Sequence, residues 1–394
     1  MVPAMRLSIG FLVALLCGPA VAQAQTPAPR TTLDVTLPSP PDNQLSSLGP
    51  PGRLAAGADG TLYVASSTFQ PSPDGILPAQ SARIELAAYS KDGKEKYRTL
   101  LPVQAALGRH GFNAESLGVV AFPSGETEVF LSSSNNRAAL PQDERSITTI
   151  FRVDADGKVL HAVSVAPAAR VSGGFYRTKF YLATADNGLL VGGGYGVDPF
   201  NWWIGKFDAQ GQRRWQAGPG PAYPEDVYGL ALKPDGSVSA IVQEIGQQSA
   251  LSQWYVARFS ADGAPLGRAP FSTLGTSFAM LPGFWVSALS EFDTAGSPAL
   301  VRLDEQGNVL GRAPWRYGQT RRMIADGDGI AAIVCDTIDG PPCYVVRAGI
   351  DGKVRWRSPP GSISDIVRTP DGQLAAIRWS DDWLTARLVR YADP

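Results

Sequence analysis

The sequence predicts an all-β chain: a seven-bladed β-propeller of four-stranded antiparallel blades, its ring closed by an N-terminal strand. Three observations carry the prediction. The composition is one of many turns and few long helices, with 42 glycines and 32 prolines against four methionines and two histidines. Two interleaved series of glycine-closed turns run the length of the chain, seven members each. The last repeat ends one strand short, and a spare strand stands at the beginning.

The first 24 residues read as a signal peptide, with a short n-region ending at Arg6, an apolar run from Leu7 to Leu16, and small residues that suit cleavage at Ala20-Val21-Ala22 or Ala22-Gln23-Ala24. Leu16 is too large for the residue before a lipidated cysteine, so Cys17 is expected to leave with the leader. Residues 25–394 then form one propeller domain in the periplasm or outside the cell. No other stretch of 18 apolar residues occurs, so no membrane span is expected. Lys plus Arg number 35 and Asp plus Glu 36, leaving no global field to gather nucleic acid or an anionic membrane. A monomer is expected.

The first turn series is Asp92-Gly93, Asp156-Gly157, Gln210-Gly211, Asp262-Gly263, Gln306-Gly307 and Asp351-Gly352, with the seventh member falling at Asp393. Upstream of each lies an apolar strand with a basic residue at one equivalent position: Arg152, Lys206, Arg258, Arg302, Arg347 and Arg390, with Ala88 the exception. Equivalent strand positions in a propeller are spread around its circumference, so these residues are expected to bond turn carbonyls or a neighbouring blade's carboxylate, their stems packed on aromatics. Four positions after the turn glycine stand Tyr97, Trp215 and Trp356, with His161 in the same slot, and all are expected to pack. Trp215 and Trp356 are expected to dock between blades.

The second series is Asp59-Gly60, Ser124-Gly125, Asn187-Gly188, Asp235-Gly236, Pro282-Gly283, Asp328-Gly329 and Asp371-Gly372, each flanked by apolar β-formers. Gly and Asn tolerate the positive φ that tight hairpin turns need, so these are hairpin signals. Alternating the series gives four strands per period, and the second-series glycines lie 65, 63, 48, 47, 46 and 43 residues apart, a propeller-blade spacing. The last blade has strands at about 364–369, 373–379 and 383–391 and no fourth. Thr32-Leu33-Asp34-Val35-Thr36-Leu37 alternates polar and apolar residues before the breaker Pro38-Ser39-Pro40-Pro41, and pairing it with the last blade removes a free edge.

The unit Phe207-Asp208-Ala209-Gln210-Gly211-Gln212-Arg213-Arg214-Trp215, with Asp351-Gly352-Lys353-Val354-Arg355-Trp356, resembles the repeats of bacterial extracytoplasmic β-propellers of the PQQ-like kind. The resemblance spans nearly all of the chain after the leader as a pattern, with a turn one residue shorter than the usual Asp-Ala-x-Thr-Gly form. It implies the fold. A quinone, in related dehydrogenases, goes with a calcium site and a pair of adjacent cysteines, whereas Cys335 and Cys343 are separated by seven residues, so no cofactor is expected.

With both turn series on one face, the remaining connections gather on the other, and they are long in blades one to four. Function on loops held by a rigid scaffold is the usual arrangement. The candidate ligand-binding residues there are Arg109, His110, Asn135, Arg177, Tyr195, Trp202, Tyr223 and Asp226, rings among hydrogen-bonding groups that suit a protein or glycan ligand. Trp202→Ala on that face is expected to cost far less stability than Trp215→Ala. His110 is the one histidine placed to act as a general base. There is no Gly-x-Ser-x-Gly elbow and no His-x-x-x-His pair, and two histidines cannot build a His-rich metal centre, so no metal is expected. The function expected is an exported binding or scaffolding module for a protein or glycan; the alternative is an extracytoplasmic hydrolase or lyase acting on a polysaccharide through His110. Convergence of His110, an acid and an arginine within about 10 Å separates the two. Cys335 and Cys343 close the base of a hairpin loop, where facing side chains come within disulfide reach, and are expected to pair.

Overall fold

A computed structural model gives the structure of residues 26–38, 53–68, 83–103, 113–134, 146–165, 175–196, 201–218, 225–245, 252–271, 275, 277–289, 298–336, 342–380 and 385–394. At the loop-side ends of several strands the backbone alone is described. The first strand is β1 (Arg30–Thr36). Blade one is β2 (Arg53–Ala56), β3 (Leu62–Thr68), β4 (Arg83–Tyr89) and β5 (Glu95–Leu100). Blade two is β6 (Asn113–Ala121), β7 (Thr127–Ser134), β8 (Ser146–Val153) and β9 (Val159–Val165). Blade three is β10 (Phe175–Ala183), β11 (Leu189–Gly196), β12 (Asn201–Phe207) and β13 (Arg213–Ala217). Blade four is β14 (Glu225–Leu232), β15 (Val238–Ile245), β16 (Ser252–Phe259) and β17 (Pro265–Phe271). Blade five is β18 (Ser277–Leu281), β19 (Phe284–Leu289), β20 (Ala299–Leu303) and β21 (Val309–Pro314). Blade six is β22 (Gln319–Asp326), β23 (Gly329–Cys335), β24 (Cys343–Gly349) and β25 (Val354–Arg357). Blade seven is β26 (Ser362–Arg368), β27 (Leu374–Trp379) and β28 (Ala386–Ala392), completed by β1 in the order β1-β28-β27-β26.

The chain is therefore a seven-bladed β-propeller closed by its N-terminal strand, as the repeat predicts. In the closing pair Leu33 lies opposite Arg390 and Val35 opposite Leu388. The first strand of every blade faces the axis.

The turns explain why the repeat is visible. In the inner hairpin of blade one, Gly60 N–H donates to the Gly57 carbonyl at 3.0 Å and Gly57 N–H to the Thr61 carbonyl at 2.8 Å, with Gly60 at φ 82°. This is a three-residue loop whose last member must be left-handed. In the outer hairpins of blades two, three and five an aspartate opens the turn and holds it: Asp208 Oδ1 accepts from the Gln210 and Gln212 amides at 3.0 and 2.8 Å, and Asp304 Oδ1 from Gln306 and Asn308 at 2.9 and 2.8 Å. Two turns differ from the sequence reading. In blade three the left-handed residue is Asn187 (φ 56°), not Gly188, and in blade six a two-residue turn places it at Gly327 (φ 64°).

The core consists of seven apolar clusters, one at each blade–blade interface. Middle strands are covered on both faces, which is why β23 reads as a continuous apolar run and is buried throughout. The outer strand of each blade rests on the outer turn of the next. A Cβ at Gly263 would lie 2.6 Å from the Trp215 indole, whose Nε1 donates to the Ala261 carbonyl at 3.0 Å. Gly157 meets Tyr97 in the same way. Glycine is thus required twice at one position, for positive φ and for the neighbour's ring. Trp356, buried, donates to Asp393 Oδ1 at 2.7 Å across the next interface. In blade two Val163 rests on Gly211, and His161, in register with Arg152 as Trp215 is with Lys206, is half-buried.

Three of the repeated basic residues, Arg152, Arg347 and Arg390, stitch blades together, while Lys206 pairs with Asp186 of its own blade. Arg152 donates to Glu128 Oε1 at 2.7 Å and to Glu126 within its blade, then to the Asn187 carbonyl of blade three at 3.0 Å, with its guanidinium 3.9 Å from the Phe122 ring centroid. Arg347 reaches the Gly372 carbonyl of blade seven at 3.1 Å, and Arg390 the Gly60 carbonyl of blade one at 3.1 Å. Cys335 and Cys343, opposite one another in register, form a disulfide with their Cα atoms 4.0 Å apart.

Candidate functional site

The seven inner strands enclose an axial cavity of about 900 Å³. A strand has only two faces, and here both are committed, one to each neighbouring blade, so a regularly paired inner strand has no third direction in which to aim a side chain. The chain solves this with β-bulges. In β10, β14, β22 and β26 the register with the second strand slips at Lys179, Tyr228, Arg321 and Ser364. In each case the bulge follows four regular pairs beyond the one that closes the hairpin, so all four lie at one level, and all four line the cavity. A bulge leaves one residue unpaired and re-aims it. Strand β6 has its bulge two pairs farther on, at Glu115, where only the backbone is described.

Next to this level runs a rung of Arg53, Phe180, Ser277, Arg322 and Asp365. Asp365 is 1% exposed and fully engaged: it accepts from the Leu54 amide at 2.9 Å, the Ile366 amide at 2.8 Å and Arg322 at 2.5 Å. It ties blades six, seven and one together. Arg53 Nε donates to the Leu117 carbonyl of blade two at 2.7 Å, and Ser277 Oγ to the Thr320 carbonyl of blade six at 2.9 Å. Lys179 pairs with Asp226 across blades three and four and stands 4.9 Å from the Tyr228 ring centroid.

Arg322 keeps 37% of its side-chain surface open, but what it opens onto is the enclosed lumen. Burial holds its guanidinium below the ordinary arginine value, and the Arg53 charge adds to the effect while Asp365 opposes it. Burial, with the Asp226 charge, pushes the Tyr228 phenol up. The arrangement is suited to holding a polar, negatively charged group. It is poorly suited to proton transfer, because the one buried carboxylate is saturated and the phenol is harder to ionise than in water.

Of the candidate residues named from sequence, Asp226 is at this site, as the partner of Lys179. Arg177 lies on β10 and Tyr195 on β11, with backbone alone described, and Arg109, His110, Asn135 and Tyr223 lie outside the described residues. Trp202 corrects the reading: its indole is 3% exposed, in the core between blades three and four, 6.0 Å from the Phe259 ring. Strand β12 is a middle strand, so both its faces are covered, while Trp215 on the outer β13 is only half-buried. Arg53, Lys179, Tyr228, Arg321, Arg322 and Asp365 escaped sequence reasoning, which looked to the long loops. A signal was present in the spacing: Lys179, Tyr228 and Ser364 each stand eight residues before the left-handed turn residues Asn187, Gly236 and Gly372.

No family model matches the sequence, and no curated protein matches it. Solved structures match its shape. The β-propeller domain of the Trilobed protease from Pyrococcus furiosus is 10% identical with a TM-score of 0.51, covering 87% of this chain and 100% of that one. The polysaccharide lyase Uly1 is 13% identical with a TM-score of 0.54, over 87% and 90%. The WD40 β-propeller domain of Doa1 is 12% identical with a TM-score of 0.48, over 88% and 95%. At these identities the likeness to the Trilobed protease domain and to Uly1 is one of fold, that of a β-propeller. Among the described residues no helix is long and apolar enough to cross a membrane.

Proposed function

We propose that the protein is an exported binding module that holds a protein or glycan at the mouth of its axial cavity, with the long connections of blades one to four completing the surface. The observation that carries this reading is the cavity itself, about 900 Å³ in volume and lined by polar groups delivered on bulges of rigid strands. That volume is in the range of small-molecule sites, and rigid strands position such groups better than loops do. The leader-like residues 1–24 and the disulfide support export, since disulfides persist in oxidising compartments. The catalytic alternative rests on His110, outside the described residues, and the lumenal groups do not favour it. The test is a glycan array and a pull-down with purified protein, run beside an assay for polymer cleavage. Capture of a ligand by wild type and His110→Ala alike, with no shortening of the polymer, is the expected result. Cleavage that disappears in His110→Ala overturns the binding-module reading.

A further inference from the structure

We propose that the axial cavity seats the carboxylate of an acidic sugar, a uronic-acid residue of a glycan, with Arg321 as its receptor. The proposal deepens the binding-module reading and rests on it.

Among the described residues, four cations line the lumen, Arg53, Lys179, Arg321 and Arg322, against two carboxylates, Asp365 and the Asp226 that pairs with Lys179. At the blade junctions the pattern differs, since Arg152 faces both Glu126 and Glu128, and Arg347 both Asp326 and Asp393. Arg321 is exposed to the lumen and has no partner among the described residues. Asp365 cannot turn to it, being held by two amides and Arg322.

Arg321 is the bulged residue of β22, so its direction into the lumen follows from the register slip between Thr320 and Arg322. An uncompensated guanidinium in a cavity with low-dielectric walls focuses a positive potential there and raises the local concentration of anions. The burial that disfavours the Arg322 charge, with Arg53 adding to it, is relieved when an anion enters.

A guanidinium's planar fork matches a carboxylate. Around it the walls offer the rings of Phe180 and Tyr228 beside the hydroxyl of Ser364, apolar faces for sugar C–H groups and a partner for sugar hydroxyls. An acidic peptide with repeated carboxylates asks for a row of open cations, whereas Lys179 is paired with Asp226, Arg322 with Asp365, and Arg53 is turned to the Leu117 carbonyl.

The experiment is calorimetric titration of the purified protein with trigalacturonate, a neutral cellotriose, poly-L-glutamate and sodium sulfate. Binding of trigalacturonate that weakens as salt rises is expected, reduced about tenfold or more by Arg321→Ala and abolished by Arg321→Glu. Lys353→Ala, on an outer turn, controls for net charge and leaves affinity unchanged, and the melting temperature of each variant checks that it is folded. If trigalacturonate binds Arg321→Ala as tightly as wild type, the seat is wrong while the binding-module reading stands. Binding of poly-L-glutamate, cellotriose or sulfate in place of the sugar acid overturns the ligand class alone. If none of the four binds and the array and pull-down also capture nothing, the binding-module reading falls with the proposal.

Discussion

Trp202 and Trp356 are each almost fully buried at a blade junction, and Trp215 is half-buried against a turn. Replacing a buried tryptophan by alanine removes its transfer free energy and leaves a cavity, so Trp356→Ala and Trp202→Ala should each cost about 3–5 kcal/mol, and Trp215→Ala less. Midpoints of denaturant titrations measure this, and a Trp202→Ala midpoint near wild type would return that residue to the surface. Glu128 offers a second prediction at this scale. Burial pushes its carboxyl up to about 7, Arg152 acting against the shift and Glu126 with it. A raised carboxyl means that the folded chain holds a proton which the unfolded chain releases near pH 4.5, so the stability this group contributes is full below that value and is lost as pH rises to about 7. The change is on the order of 2–3 kcal/mol for a shift of this size. Thermal melts of Glu128→Gln across this range should lack the slope.

At the scale of elements, the turn grammar made the strands legible: Asp-Gly and Gln-Gly pairs flanked by apolar runs fall at the hairpins because a left-handed residue is obligatory there. The same grammar misplaced the turns at Asn187 and Gly327, since Asn also tolerates positive φ and the two-residue turn of blade six puts its left-handed residue first, whereas that of blade five puts it second, at Gly283. The channel lining was not legible, because a bulge adds one residue without changing composition. Whether Arg321 faces the lumen or a neighbouring blade is a matter of pairing register. The hairpin of β23 and β24 carries its own prediction. Its disulfide closes a short loop and should contribute about 2–3 kcal/mol, chiefly by restraining the unfolded chain. Thiol titration of the denatured, unreduced protein without residues 1–24 should find no free cysteine, and two reactive thiols would contradict the pairing.

At the scale of the whole molecule, ring closure gathers groups from both ends of the chain into one interface. Leu33 and Leu37 are buried there against blades seven and one, and Asp34 holds Arg387, 353 residues away, at 2.7 Å. Deleting residues 30 to 38 removes two buried leucines worth about 1.5–3 kcal/mol each and leaves β28 with an open edge. The truncated protein should melt well below the parent, and equal melting would show that the strand does not close the ring. Blades one to six assemble from neighbouring segments, whereas blade seven must join two distant ones, a slow search because so long a loop has to close. Until that search succeeds, the vacancy beside β28 is indifferent to which molecule fills it. A crowded solution of refolding chains can therefore settle it by strand exchange, each ring finished by its neighbour's first strand, giving dimers whose yield rises with protein concentration and which, once formed, are as well packed as the monomer.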